Sequence, residues 1–361
     1  MTSSLIFSRG AIIAGVILSC SIPLSASATR LMTAASLNDV DVMSGGYVVV
    51  PPAESMTAAF SVNLTNTSAW RATAWKVGAS PIGGYTCIDH ADHLTDGANV
   101  DGFSIPAPAT DGIYNLYIRL FPNDECSGSQ PTLTFAHSIR VANGKTGEIR
   151  GYKAEARDEK GHHPRLPGWT IYLDLNANSF LDENDIATTT NASGNFRFTG
   201  LPAGAYTVRE VLQAGWSQLL PVAGAYAVIL EEGEKIKDKE KLVFVNYRPA
   251  SISGVKCKAV PPHMKKCEGK PSLSGWTIEL HKLLATTTPV TTSTLFASTV
   301  TNADGAYSFT NLAPGYYTVR EVLADGWEQV RGVRIIRLDS GEEYARADFV
   351  NRHLVLDEEI E

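Results

Sequence analysis

From about residue 30 onward, apolar and polar positions alternate and long apolar runs are absent. Phe60, Val62 and Leu64 share one parity, with Ser61 and Asn63 on the other. Ile113–Leu120 and Phe135–Val141 behave in the same way. Further on, Trp169, Ile171 and Leu173 alternate with Thr170 and Tyr172, and Tyr206 and Val208 with Thr207 and Arg209. A period of two is that of a strand with one buried face. No segment carries a helical stripe. Clusters such as Pro106-Ala107-Pro108, Asp111-Gly112, Asn191-Ala192-Ser193-Gly194 and Asn302-Ala303-Asp304-Gly305 are turn signals between strands. The pattern predicts an all-β chain.

The second and third thirds of the chain repeat each other. Thr190–Thr199 matches Thr301–Thr310, Tyr206-Thr207-Val208-Arg209-Glu210-Val211 matches Tyr317-Thr318-Val319-Arg320-Glu321-Val322, and Gly168-Trp169-Thr170-Ile171 matches Gly275-Trp276-Thr277-Ile278. Gly215-Trp216 returns as Gly326-Trp327, and Phe244-Val245-Asn246 as Phe349-Val350-Asn351. An offset of roughly 105 residues makes each copy a small domain and not a solenoid turn. The copies run over about 146–250 and 251–354, and some seven short strands in each predict a β-sandwich. Residues 29–145 match neither copy and are read as a separate Ig-like sandwich.

The ordered set of motifs in the two copies resembles the B-type repeat of serine-aspartate-repeat surface adhesins, related to the collagen-adhesin (Cna) B-type modules. The resemblance covers about 146–354. It implies that the two copies are tandem prealbumin-like (Cna B-type) domains, which with the separately read Ig-like head make a chain of three sandwiches. It also implies a stalk or spacer of a secreted or surface protein, not an enzyme.

Other features fit export. Residues 1–28 have the form of a secretory signal, with Arg9 before the apolar Ala11–Leu24 and a small-x-small Ala26-Ser27-Ala28 site. Lipidation at Cys20 is the less favoured alternative, because Leu18 is a poor fit to a lipobox. Removal of the signal leaves four cysteines, which allow three pairings. Proximity favours Cys87–Cys126, which would close the Ig-like head with Trp70 and Trp75 as candidates to pack against the bridge, and Cys257–Cys267. With 31 basic against 38 acidic residues, the net charge of -7 gives no general footprint for nucleic acid. No apolar run of about 18–20 residues is available to span a bilayer. Residues 355–361 read as an acidic tail; with no sorting motif or basic anchor after Arg352, release is an expectation.

Two chemistries stand out. In Asp174–Asp185, oxygen donors Asp174, Asn176, Asn178, Asp182 and Asp185, with the Phe180 carbonyl, fall at the spacing of an EF-hand-type Ca²⁺ loop. Ser179 stands where Gly normally makes the turn, and Asp185 where Glu is usual. The second copy has no such loop. The other chemistry follows from parity. If Ile149 and Ile252 face their cores, so do Lys153 and Lys256. The same logic turns Glu210 and Glu321 inward from Tyr206/Val208 and Tyr317/Val319, and Asn246 and Asn351 inward from Phe244 and Phe349. Burial pushes a lysine toward the neutral amine and a glutamate toward the neutral acid. The six residues are therefore candidates for two autocatalytic Lys–Asn isopeptide bonds, Lys153/Glu210/Asn246 and Lys256/Glu321/Asn351, at positions where the collagen-adhesin modules are similar.

Other signals carry less. Cys87, His90 and His93 have metal-like spacing beside Asp89 and Asp92, but read as a polar loop next to a disulfide. Trp169, Trp216, Trp276 and Trp327 repeat with the fold and read as packing residues. The expected function is a secreted or cell-surface adhesin-type protein whose tandem modules form a rigid spacer presenting the head to an extracellular protein or glycan. The alternative is a carbohydrate-binding or scaffolding accessory module.

Overall fold

The computed structural model describes residues 29–354 except 67, 157–162, 237–241, 261–265, 284–292 and 333–334. The expected signal, with Cys20, and the expected acidic tail lie outside the described residues. The described chain is all β, with three separate hydrophobic cores along its length. Among the described residues no helix is long and apolar enough to cross a membrane.

The head packs two sheets face to face. One orders Val40–Asp41, Thr29–Leu37, Ser55–Thr65 and Gly97–Pro106; the other orders Val48–Val50, Leu133–Val141, Gly112–Phe121, Trp70–Gly78 and Thr86–His93. Alternation in Ser55–Thr65 buries Met56, Ala58, Phe60, Val62 and Leu64 between them. The Cys87–Cys126 disulfide forms, but outside this core. It packs with Ala72, Ala74, Phe121 and Tyr85. Trp70 and Trp75, candidates to cover the bridge, belong instead to the main core, where Trp70 is fully buried.

Each repeat is a sandwich of two sheets whose four main strands follow a matching order, and in repeat two the short strand Glu343–Tyr344 adds a fifth by pairing with Ala250–Lys258. In repeat one, Asn195–Leu201, Gly147–Glu155, Leu242–Tyr247 and Ser217–Leu220 face Ile186–Thr189, Thr170–Leu173, Gly204–Glu210 and Tyr226–Leu230. Repeat two aligns Ala306–Leu312, Ala250–Lys258, Phe349–His353 and Trp327–Arg331 against Ser293–Val300, Thr277–Leu283, Gly315–Glu321 and Ile335–Leu338. The first and last strands of each repeat are parallel neighbours. Gly194 and Gly305 close equivalent turns at φ +69, and a Cβ there would press on the carbonyls of Lys153 and Lys256. The second disulfide, Cys257–Cys267, packs with Ala259, Val330 and Val350, apart from the main core of repeat two.

The units touch at both junctions. Tyr47 Oη donates to the Thr199 carbonyl at 3.3 Å, and Arg140 donates to the same oxygen. The Arg140 guanidinium lies 3.4 Å from the Tyr47 ring centroid. Past repeat one, Arg248 donates to Glu155 at 3.1 Å and its backbone carbonyl accepts from Gly341 at 2.8 Å.

Candidate functional site: two buried lysine triads

The first strand of repeat one brings Lys153 inward because Ile149, Gly151 and Lys153 share a face. Gly151 is required there: a Cβ would meet the Phe196 ring and the Leu242 carbonyl. Lys153 and Asn246 are 0 % exposed, and the Glu210 side chain is 1 % exposed. The register pairs Lys153 with Phe244 and Glu155 with Asn246, so lysine and asparagine sit two positions apart on adjacent parallel strands. Glu210 reaches them from the opposite sheet, with Oε2 2.8 Å from Lys153 Nζ.

Repeat two builds the same arrangement. Lys256 and Asn351 are 0 % exposed. Lys256 Nζ lies 2.5 Å from Glu321 Oε2, and Asn351 Nδ2 donates to that same oxygen at 3.0 Å. Lysine, carboxylate and amide thus meet at one atom.

Hydrogen bonding leaves both groups incomplete. Lys153 Nζ, both Glu210 oxygens, both Asn246 side-chain polar atoms, Lys256 Nζ and Asn351 Oδ1 are buried without an aligned hydrogen-bond partner. Lys153 and Lys256 keep their ion pairs to Glu210 and Glu321, so the atoms left with neither kind of partner are those of Asn246, Asn351 Oδ1 and Glu210 Oε1. Each orphaned buried polar atom costs on the order of 1–3 kcal/mol, so a cluster of this size calls for a chemical explanation. Burial lowers the Lys153 amine to about 8, against the pull of Glu210 the other way. Lys256 is lowered by the same cause.

Sequence reasoning assigned the repeated tryptophans to packing. Their packing also shields the lysines. Trp169 lies 4.3 Å from Lys153 Nζ, and Trp276 4.4 Å from Lys256 Nζ, ring centroid to nitrogen. Trp216 and Trp327 brace them edge-to-face at 5.4 and 5.5 Å. The signal was present in the co-repetition of Gly-Trp with the lysine strand.

The Asp174–Asp185 segment folds as a tight loop on repeat one. Ser179 adopts φ 68, the turn conformation that Gly would supply. Asp174 accepts from the Asn178 and Ser179 N–H groups, and Asp185 from those of Leu175 and Asp182. Asn176 and Asn178 both donate to Asp182 Oδ2. The Phe180 side chain is exposed. The donor types suit a hard cation. One competitor is present: Arg209 Nε donates to Asp174 Oδ2 at 2.8 Å. Burial raises Asp185 from its ordinary value, with a smaller push in the same direction from Asp182 and Asp174.

The polar loop expected around His90 and His93 is a strand, Thr86–His93. Cys87 is in its disulfide, and Asp92 lies 3.5 Å from Arg71. The residue that joins the two histidines is Asp101, from the next strand.

Residues 263–328 match the family model described as SpaA, prealbumin-like fold domain. Repeat two is a prealbumin-like domain. Repeat one, with the same strand order and the same buried triad, is its tandem partner. Over 316 residues the chain is 23% identical to Colossin-A of Dictyostelium discoideum, covering 81% of this chain and 2% of that protein. Among solved structures it is similar to the Bacillus anthracis TIE protein, at 13% identity and TM-score 0.29, covering 92% of this chain and 59% of that one. It is also similar to the minor pilin of Streptococcus agalactiae, at 14% identity and TM-score 0.26, covering 60% and 100%. The shaft pilin of Lactobacillus rhamnosus GG gives 14% identity and TM-score 0.22, covering 59% and 99%. The chain thus spans a small part of its curated relative.

Proposed function

We propose that the chain is a structural protein of the cell surface, in which two prealbumin-like domains, each closed by an internal Lys–Asn amide bond, form a stiff spacer behind the head. The observation that carries this reading is the pair of buried triads. Proton transfer from Lys153 to Glu210 leaves a neutral amine and a neutral acid. The amine attacks Asn246 Cγ while the acid polarises the amide oxygen. The new C–N bond forms, the Cγ–Nδ2 bond breaks, and the proton lost by the amine leaves with Nδ2 as ammonia. Lys256, Glu321 and Asn351 act in the same roles. Two buried charges become one neutral amide, which removes the cost of a charged pair in a low-dielectric core. The junction contacts of Tyr47, Arg140 and Arg248 support stiffness between units. The Asp174–Asp185 loop, with Asp174, Asn176, Asn178, Asp182, Asp185 and the Phe180 carbonyl as donors, is read as one weak Ca²⁺ site that fixes the outer edge of repeat one. The test is the intact mass of the mature chain under reducing conditions. A deficit of two ammonias supports the reading, and the unmodified sequence mass refutes it.

A further inference from the structure

The open edge of the head sandwich gathers a second set of functional side chains. Thr86–His93 is the edge strand of one sheet and Gly97–Pro106 the edge strand of the other. A turn of three residues joins them. His90 Nδ1 and His93 Nε2 each lie 3.2 Å from Asp101 Oδ2. Among the described residues, this is the one group of three histidine, cysteine or acidic side chains whose donor atoms all fall within 4.8 Å of one another.

Three residues apart on a regular strand, His90 and His93 would point to opposite faces. A bulge prevents this. Trp70 pairs with His93 and Ala72 with Asp89, so the histidine strand carries extra residues opposite Arg71. Bulges re-aim side chains in this way. The re-aimed rings are held from behind by buried groups. Trp70 stacks on His93 at 4.9 Å and 27° and meets His90 edge-on at 4.6 Å. Trp70 Nε1 donates to Thr73 Oγ1 at 2.9 Å, and that hydroxyl lies 3.1 Å from His90 Nε2. Trp70 and Thr73 are both 0 % exposed.

We propose that His90, His93 and Asp101 bind one divalent transition-metal ion, with zinc as the best-fitting member. Two imidazoles and a carboxylate are a three-ligand zinc set that leaves a fourth position open. Bonds of about 2.0–2.1 Å in a tetrahedron place ligand atoms about 3.3 Å apart. The two nitrogen–oxygen edges already have nearly that length, and the imidazoles need only close toward each other. With the ion bound, His90 Nε2–H would donate to Thr73 Oγ1, 3.1 Å away, leaving the Nδ1 lone pair for the metal, the outer-shell contact that metal-bound histidines ordinarily show. The Ala91 carbonyl, 3.2 Å from His90 Nδ1, and the Gly102 N–H that donates to Asp101 Oδ1 at 2.7 Å frame the site. The His90, His93 and Asp101 side chains are 5 %, 18 % and 20 % exposed, so an ion reaches them from solvent. A bound ion would tie the unpaired edges of the two head sheets together, a role distinct from the lysine triads and the Asp174–Asp185 loop.

The test is calorimetric titration of chelator-stripped full-length mature protein with zinc chloride in excess Ca²⁺. The expected result is one equivalent bound, with affinity reduced at least tenfold in His93→Ala and in the isosteric Asp101→Asn. Thr73→Val should weaken binding by about 10-fold. Zinc should also raise the melting transition of the head in the wild type and not in Asp101→Asn. No binding by the folded wild type, or binding unchanged in both His93→Ala and Asp101→Asn, overturns the proposal.

Discussion

Replacing Asn246 by Ala removes the carbonyl that the Lys153 amine would attack and leaves the Lys153–Glu210 pair in place. The amide bond would enclose a loop of about 90 residues. Closing a loop of that length removes about 4–5 kcal/mol of unfolded-state entropy in the chain-entropy treatment of cross-links. For a domain near 100 residues, each kcal/mol moves the midpoint by about 4–8 °C. The transition of repeat one should therefore fall by roughly 20–35 °C in Asn246→Ala, while the transitions of the head and repeat two stay where they are. Differential scanning calorimetry resolves the three. The same samples go to intact-mass measurement after reduction. Wild type should lack two ammonias and the variant one, once the deleted side chain is counted. If both masses equal their sequences, or if the mass changes while the transition of repeat one does not, the reasoning fails.

Four more outcomes are expected. In Asn246→Ala the free Lys153 should make repeat one more stable as pH rises from about 8 toward the ordinary lysine value of 10.5. The folded state releases its proton first, so the gain is absent below about 8 and totals about 3 kcal/mol; denaturant melts should show it in the variant and not in the bonded wild type. Trp276→Ala should admit water to Lys256 and lower the fraction of repeat two that loses ammonia, read by the mass of the tryptic cross-linked peptide. Ca²⁺ should raise the transition of repeat one with a dissociation constant of about 10⁻⁴–10⁻³ M, and Asp185→Asn should abolish the rise. Arg140→Ala removes a donor from the Thr199 carbonyl and the stack on Tyr47, and should widen the distribution of head-to-repeat angles seen by small-angle scattering.

Parity placed the triad residues on the buried faces, where they lie, at positions where the adhesin modules are similar. Ile149 and Ile252 fixed which face of the first strand is buried, and Lys153 and Lys256 follow by the strict period of two. The same logic holds for Glu210, Glu321, Asn246 and Asn351, because these strands are regular where it matters. His90 and His93 were read only as part of a polar loop, and the bulge opposite Arg71 is what re-aims them. A bulge leaves no mark in the hydrophobic pattern of so polar a strand. Asp101 was invisible for a second reason: it comes from the edge of the other sheet, and nothing in its neighbours announces that pairing. Trp70 was misplaced for a related cause. A tryptophan near a disulfide suggests an Ig-type core, yet Cys87–Cys126 lies with Ala72 and Ala74 while Trp75 and Val77 pack against the main core. In the Asp174–Asp185 loop, donor spacing was legible but the Arg209 contact was not, since Arg209 alternates outward on a strand read only for its core face.

The first and last strands of each repeat run side by side in the same direction. The polypeptide therefore comes in at one pole of the sandwich and departs from the other. Antiparallel neighbours would return it to the pole where it began. A gene duplication of such a unit adds length along one axis without rerouting the backbone, and nine-residue first strands set the increment at about 30 Å per copy. The reach of a protein built this way is a matter of how many copies are spliced in, which makes extension accessible to recombination in single steps.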